Sequence, residues 1–282
     1  MTELNGPSES MSVTFVNSAI ASLQETAVDL GQSLRRLPLA YMLARNEVFL
    51  RSHGTLLGPI WILFQPLFWI LAMVTLIKPS IGLNSSLYPV YLVLGIALFH
   101  ALQTFISQGA VAFTREKARI HNIPLPLSIY VLKNTIVACI KLAIMSPLVI
   151  IVLFYNDVTV SRTALLSVPG IVMFVLFGFG ATFFLGTVTC RIPDIAFLST
   201  TLMRAMLFLT PIFWWPDSRD DMRFIVAELN PIHHLIAVVR LPLLGIVPSV
   251  PNWVTAGCCT ALSLLAGLIV YGCYRRRLAT WL

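Results

Sequence analysis

Charge is what this sequence has least of. Only 11% of its 282 residues are charged, where a soluble domain carries about a quarter. Missing as well is any GxxxxGKS/T loop to cradle phosphates, so the chain has no nucleotide site of that kind. It has no HExxH and no His/Cys/carboxylate cluster at metal-ligand spacing, so neither a metal nor another cofactor is expected in it. A GxSxG elbow is absent. So is any pair of carboxylates within an apolar run, since Asp157 and Asp194 fall in loops. Pumps and proton-coupled carriers keep acidic relays at mid-membrane, so that mechanism is disfavoured. The five cysteines (Cys139, Cys190, Cys258, Cys259, Cys273) form no CxxC pair and read as small buried hydrophobes. No internal repeat appears, which argues against inverted-repeat carriers. Residues 1–34 are a polar extension without the apolar core of a signal peptide, so the first span is expected to act as an uncleaved anchor.

What is present is hydrophobic: 57% of residues, in runs of about 20 that exceed any buried strand or ordinary core helix. Segments of alternating polarity that would build a membrane barrel are not found. The fold class expected is an all-α integral membrane protein, with residues 35–282 forming one transmembrane domain. Its six spans fall at about 56–77, 88–110, 134–155, 164–188, 195–215 and 253–274. The net charge of +7 is then explained by basic cytoplasmic loops, not by nucleic acid. Of the 19 basic residues, twelve collect on one side, among them Arg35, Arg36, Arg115, Lys117 and Arg275 to Arg277. Five (Lys78, Arg162, Arg219, Arg223, Arg240) fall on the other, which places both termini in the cytoplasm.

Two segments resist a simple span assignment. Ile225–Gly245 is apolar but contains Glu228, Asn230, Pro231, His233, His234, Arg240 and Pro242, a heavy load for hydrocarbon. A re-entrant or interfacial pair of short helices on the outer face, broken at Asn230-Pro231, fits better. Residues 20–52 mix charge and apolarity and read as one or two helices on the inner membrane surface.

Few side chains suggest chemistry. His233 and His234 are adjacent, so on a helix they point about 100° apart and make a poor ion site; an interfacial pair is the plainer reading. Arg204 lies ~13 Å into the fifth span by helix rise. It is placed to hold an anionic group, to pair structurally or to snorkel. Lys141 reads as snorkelling toward the inner face. Trp61, Phe64, Phe68 and Trp69 crowd the first span, either packing or lining a pathway on which sugar rings stack. Phe208, Phe213, Trp214 and Trp215 suit an interfacial belt.

Three stretches, in order, resemble the permease subunits of type-2 ABC exporters for bacterial polysaccharides. RSHGTLLGPIWILFQPLFW (Arg51–Trp69) resembles their first span, with a basic lead, Leu-Gly-Pro-hydrophobic-Trp and a later proline. RIPDIAFLSTTLMRAMLFLTPIFW (Arg191–Trp214) looks like their second cytoplasmic loop and a fifth span ending in Thr-Pro-Ile-x-Trp. LNPIHHLIAVVRLPLLG (Leu229–Gly245) is similar to their Asn-Pro segment running to Arg-x-Pro-Leu-Leu-Gly. The usual Arg-x-Arg-Tyr-Lys cluster of the lead is replaced by Phe49-Leu50-Arg51-Ser52-His53.

The resemblance implies a homodimer enclosing a channel, with ATP and Mg bound by two copies of a separate ATP-binding subunit and no cofactor in this chain. The polar lead becomes an interfacial gate helix. Coupling to the ATPase falls to Arg115, Glu116, Lys117, Arg119, His121 and Asn122, with Arg191 and Asp194 at a second contact. Arg51, Trp61, Phe64, Phe68 and Arg204 belong to the gate helix and channel; Asn230, Pro231, His234 and Arg240 to an outer gate. The implied cargo is a lipid-linked polysaccharide crossing the bacterial inner membrane, O-antigen of lipopolysaccharide biosynthesis first. The alternatives are a permease of the same fold for capsule, teichoic acid, lipid or drug, a membrane-embedded lipid glycosyl- or acyltransferase, and a scaffold.

Overall fold

A computed structural model describes residues 22, 24–50, 58–77, 87–158, 161–215 and 222–282, and among these there is no strand. The chain opens with α1 (residues 24–35) and α2 (Leu37–Leu50), two helices meeting at Arg36. A 3₁₀ turn, Gly58–Ile60, leads into α3 (Trp61–Ile77). Gly58 sits at φ +52°, where only glycine is at ease, and Pro59 follows in the first turn, where a missing N–H costs little. The helix then runs through Pro66 without a break.

The second apolar run forms α4 (Leu87–Gln103), continued by a π-helical turn over Thr104–Gln108. Such a turn inserts an extra residue and frees backbone carbonyls. Here Asn134 Nδ2 donates to Thr104 O at 3.3 Å and the Thr182 hydroxyl to Phe105 O at 3.1 Å, so neighbouring helices satisfy the defect. Then come α5 (Lys117–Asn122), α6 (Ser128–Tyr155) and α7 (Ser167–Arg191). The chain closes with α8 (Asp194–Leu209), α9 (Met222–Leu229), α10 (Pro231–Leu243) and α11 (Val250–Trp281).

Among the described residues, four helical stretches are long and apolar enough to cross a membrane: Leu87–Gln108, Ser128–Tyr155, Arg162–Arg191 and Val250–Trp281. The pair α9–α10, bent by 90° at Asn230, makes a fifth if counted as one span. The six-span expectation is thus met by length only in part. At 17 and 16 residues, α3 and α8 reach about 26 and 24 Å against a core of about 30 Å. The run expected to span 195–215 stops at Leu209, because Thr210 is extended (ψ 136°) ahead of Pro211.

The hub is α7, packed against α6, α8, α10 and α11. Its contact with α11 is backbone on backbone. A Cβ on Gly267 would lie 2.4 Å from Gly180 O, and one on Gly180 2.5 Å from the Ser263 carbonyl carbon. In a bilayer, where lipid tails are as apolar as leucine, such small-residue seams hold helices together by dispersion. Gly267→Leu should therefore part α7 from α11. We expect the purified protein's melting temperature to fall by several degrees or more, with much less protein recovered in detergent; unchanged melting would show the seam to be dispensable. The expectation that the cysteines are buried holds for Cys190 alone; Cys139, Cys258 and Cys273 are exposed and Cys259 half-buried, all as free thiols. Their runs are apolar because these helix faces look outward, not because they form a protein core.

Candidate functional site

At one end of the bundle, three elements far apart in sequence meet on a single ammonium. Lys133, in the first turns of α6 and 4% exposed, places Nζ 2.7 Å from Glu47 Oε2 of α2 and 2.6 Å from Glu116 Oε1. Arg115 Nη1 donates to Glu47 Oε1 at 2.8 Å, and Arg119 Nη1 to Glu116 Oε2 at 2.6 Å. Burial pushes the Glu47 carboxyl up, but Lys133 and Arg115 outweigh it and hold its pKa below the ordinary glutamate value. A buried pair of this kind contributes little net stability against an apolar replacement, while losing one partner is expensive. Its consequence is geometric: the segment Thr114–Asn122 cannot shift without pulling on α2 and α6.

Of the coupling residues expected from the sequence, the structure brings Arg115, Glu116 and Arg119 into this network. Lys117, His121 and Asn122 stay exposed, with His121 Nδ1 2.9 Å from Lys117 O. Arg191 and Asp194 are exposed where α7 hands over to α8. Arg191 lies over the Trp281 ring at 5.8 Å, tying α7 to the end of α11. Cys190 packs in one apolar cluster with Phe113 and Ile120, so both loops occupy the same end of the molecule.

A second polar cluster lies beside the first. Asp29 of α1 is fully buried; its carboxylate accepts from Ser128 N (2.9 Å), the Tyr271 hydroxyl (2.7 Å) and Arg275 Nη2 (2.8 Å). Arg276 pairs with Glu25. Helix α1 is thereby fastened to the start of α6 and the end of α11. Sequence reading placed residues 1–34 in a polar extension and assigned Asp29, Glu47 and Lys133 no role. The one usable signal was Lys133, a cation in the opening turns of a mostly apolar run.

Elsewhere a turn replaces the end of the expected fifth span. Thr210–Trp215 is held by its neighbours: Asn230 Nδ2 donates to Thr210 Oγ1 at 2.9 Å, and the Tyr88 hydroxyl to Phe213 O at 3.1 Å. Arg240 Nη1 and the Tyr91 hydroxyl both donate to Pro211 O, the former at 2.9 Å. Arg240 is 1% exposed, with its guanidinium 3.6 Å from the Tyr91 ring centre. Asn230 caps α10 by accepting from Ile232 N, and Pro231 follows at the first helical position. His234 is buried between Asn252 Oδ1 (2.7 Å) and Glu228 O (2.9 Å). Of the residues assigned to an outer gate, Pro231 is exposed, while Asn230, His234 and Arg240 are buried within the chain. The histidine pair, expected at an interface, is buried as well, because α10 is enclosed by α4, α7 and α11.

The described channel candidates lie on the chain's outer surface. Trp61, Phe64 and Phe68 are exposed along α3, the first two with ring centres 5.3 Å apart. Arg204 is exposed on α8, between Phe197 and Phe208, which are exposed too. Arg51 lies outside the described residues. Lys141, expected to snorkel, turns instead toward α4 and donates to the Thr104 hydroxyl at 3.1 Å.

Compared with known families, residues 39–244 match the model described as "ABC-2 type transporter". No curated protein matches the chain.

Proposed function

The chain belongs to the ABC-2 type transporter family, and from that premise we propose that it forms the channel of an exporter for a lipid-linked polysaccharide, O-antigen before other glycans. An ABC-2 membrane domain is a multi-pass transport subunit, an ABC permease that works with an ATP-binding partner. Beyond this, the proposed assembly is a homodimer with two separate ATP-binding subunits in the bacterial inner membrane, both termini cytoplasmic.

The observation that carries the reading is the Glu47–Lys133–Glu116 network. A partner engaging the exposed Lys117, His121 and Asn122 would move a segment bolted to α2 and α6. Motion bought by ATP at that surface has a rigid route into the membrane. The exposed aromatic faces of α3 and α8 support a second copy and a passage between them. Arg204 supports the same face, since an arginine turned to lipid at mid-helix is costly and one turned to a water-filled passage is not.

The test is affinity purification followed by ATP turnover in lipid nanodiscs. A 2:2 complex with an ATPase, turning over ATP, is expected; a chain that purifies alone without turnover would overturn the proposal. In that complex Arg119→Glu sets a third carboxylate beside Glu116, and turnover should fall about tenfold with insertion intact. Unchanged turnover would remove this loop from the coupling path.

A further inference from the structure

Between α2, α3, α4 and α6 lies a half-open cavity of about 500 Å³, within the usual range of small-molecule sites. Its polarity is unusual for a space among apolar helices: His100, Gln103, Ser107, Gln108 and Lys141 all line it. The π turn is the reason two of them are there, since Ser107 and Gln108 lie within it. The one acid among the described residues of the wall, Glu47, already faces Lys133 and Arg115. Ser107 Oγ is buried with no hydrogen-bond partner among the described residues, and a buried hydroxyl left so is rare enough to need a cause.

We propose that this cavity binds a phosphate group, one per protomer, with Lys141 as the fixed charge and Gln103, Ser107 and Gln108 as donors. An anion suits it because the wall carries an ammonium, which also donates to the Thr104 hydroxyl, with amide N–H groups and a hydroxyl beside it, while the carboxylate of Glu47 is paired with other cations. Phosphate suits it better than carboxylate because the wall offers several donors, on α4, its π turn and α6, and a phosphate accepts on three or four oxygens. Trp61 belongs both to this wall and to the exposed face of α3, but Lys141, Gln103, Ser107 and Gln108 lie on other elements, so the site stands whether or not the cargo is a glycan. The phosphate is either a lipid headgroup entering from the bilayer or a soluble phosphate entering from water.

The test uses the full chain in phosphatidylcholine nanodiscs, with native mass spectrometry and titration of two probes, phosphatidic acid and inorganic phosphate. Wild type is expected to hold one phosphatidic acid per protomer. Lys141→Met should weaken it at least tenfold and Lys141→Arg restore most of it, the ratio expected for one charge-assisted contact. Gln108→Leu gives a second, uncharged probe should Lys141→Met fold poorly. If inorganic phosphate instead binds with the same sensitivity to both variants, the proposal holds with a soluble ligand. If neither probe binds, or binding is indifferent to Lys141→Met and Gln108→Leu, the proposal fails.

Discussion

Lys133→Met abolishes coupling: ATP turnover by the purified transporter falls at least tenfold and its melting temperature drops by several degrees. The reason lies in what the substitution leaves behind. Glu47 and Glu116 converge on Nζ at 2.7 and 2.6 Å, in a place where Lys133 itself is 4% exposed. Without the ammonium, two carboxylates face each other across a methionine that can neither neutralise nor hydrogen-bond them. Breaking a buried pair by removing one partner costs about 3–5 kcal/mol. The lower end applies here, since Arg115 still meets Glu47 and Arg119 still meets Glu116. A rescue separates stability from transmission. Adding Glu47→Gln and Glu116→Gln to Lys133→Met removes the facing carboxylates; Arg115 and Arg119 lose their ion pairs but are exposed enough for water to solvate them, so melting should return toward wild type. Turnover should stay low, because neutral amides around a thioether do not fasten the Thr114–Asn122 segment to α2 and α6 as an ion network does. Wild-type turnover in both variants would leave the network a structural role only. Recovery of both properties together would show that only its charge balance matters.

The same network shows where reading the sequence stops. Long apolar runs located α4, α6, α7 and α11, with edges off by up to about seven residues, because hydrocarbon thickness sets a length that composition reveals directly. The helix break at Asn230-Pro231 was legible too, proline being a local signal. The early end of α8 was equally written in Pro211, but the apolarity of the residues around it masked the stop. Partners across the fold leave no such mark. Ser128, Tyr271 and Arg275 reach Asp29 from 99, 242 and 246 residues away, and no periodicity ties such positions together. Arg240 was placed by charge counting among residues outside the membrane. The count treats every arginine as solvated, whereas this one is solvated by the protein: a tyrosine ring and a carbonyl.

That solvation predicts an order of stability at position 240. Arg240→Ala should be the worst variant, losing about 3 kcal/mol or more, since a large, fully buried side chain is removed and the space between α4 and the Thr210–Trp215 turn empties. The Tyr91 ring also loses a cation held at 3.6 Å, a contact of about 2 kcal/mol when desolvated. Arg240→Lys keeps the charge but not the flat fork that stacks on the ring while donating to Pro211 O, so it should melt nearly as low. Arg240→Met fills most of the volume and takes no charge out of water. No carboxylate accompanies Arg240 among the described residues, so this variant strands no opposite charge and should melt closest to wild type. Thermal unfolding of the three variants in one detergent reads the order directly. Should lysine outperform methionine, net charge at this turn matters more than packing. Should alanine melt like wild type, the turn holds through Tyr88, Tyr91 and Asn230 alone. If methionine melts normally while transport is lost, the arginine is kept for positioning the Thr210–Trp215 turn during the cycle, since a purely structural role would have spared transport along with the fold.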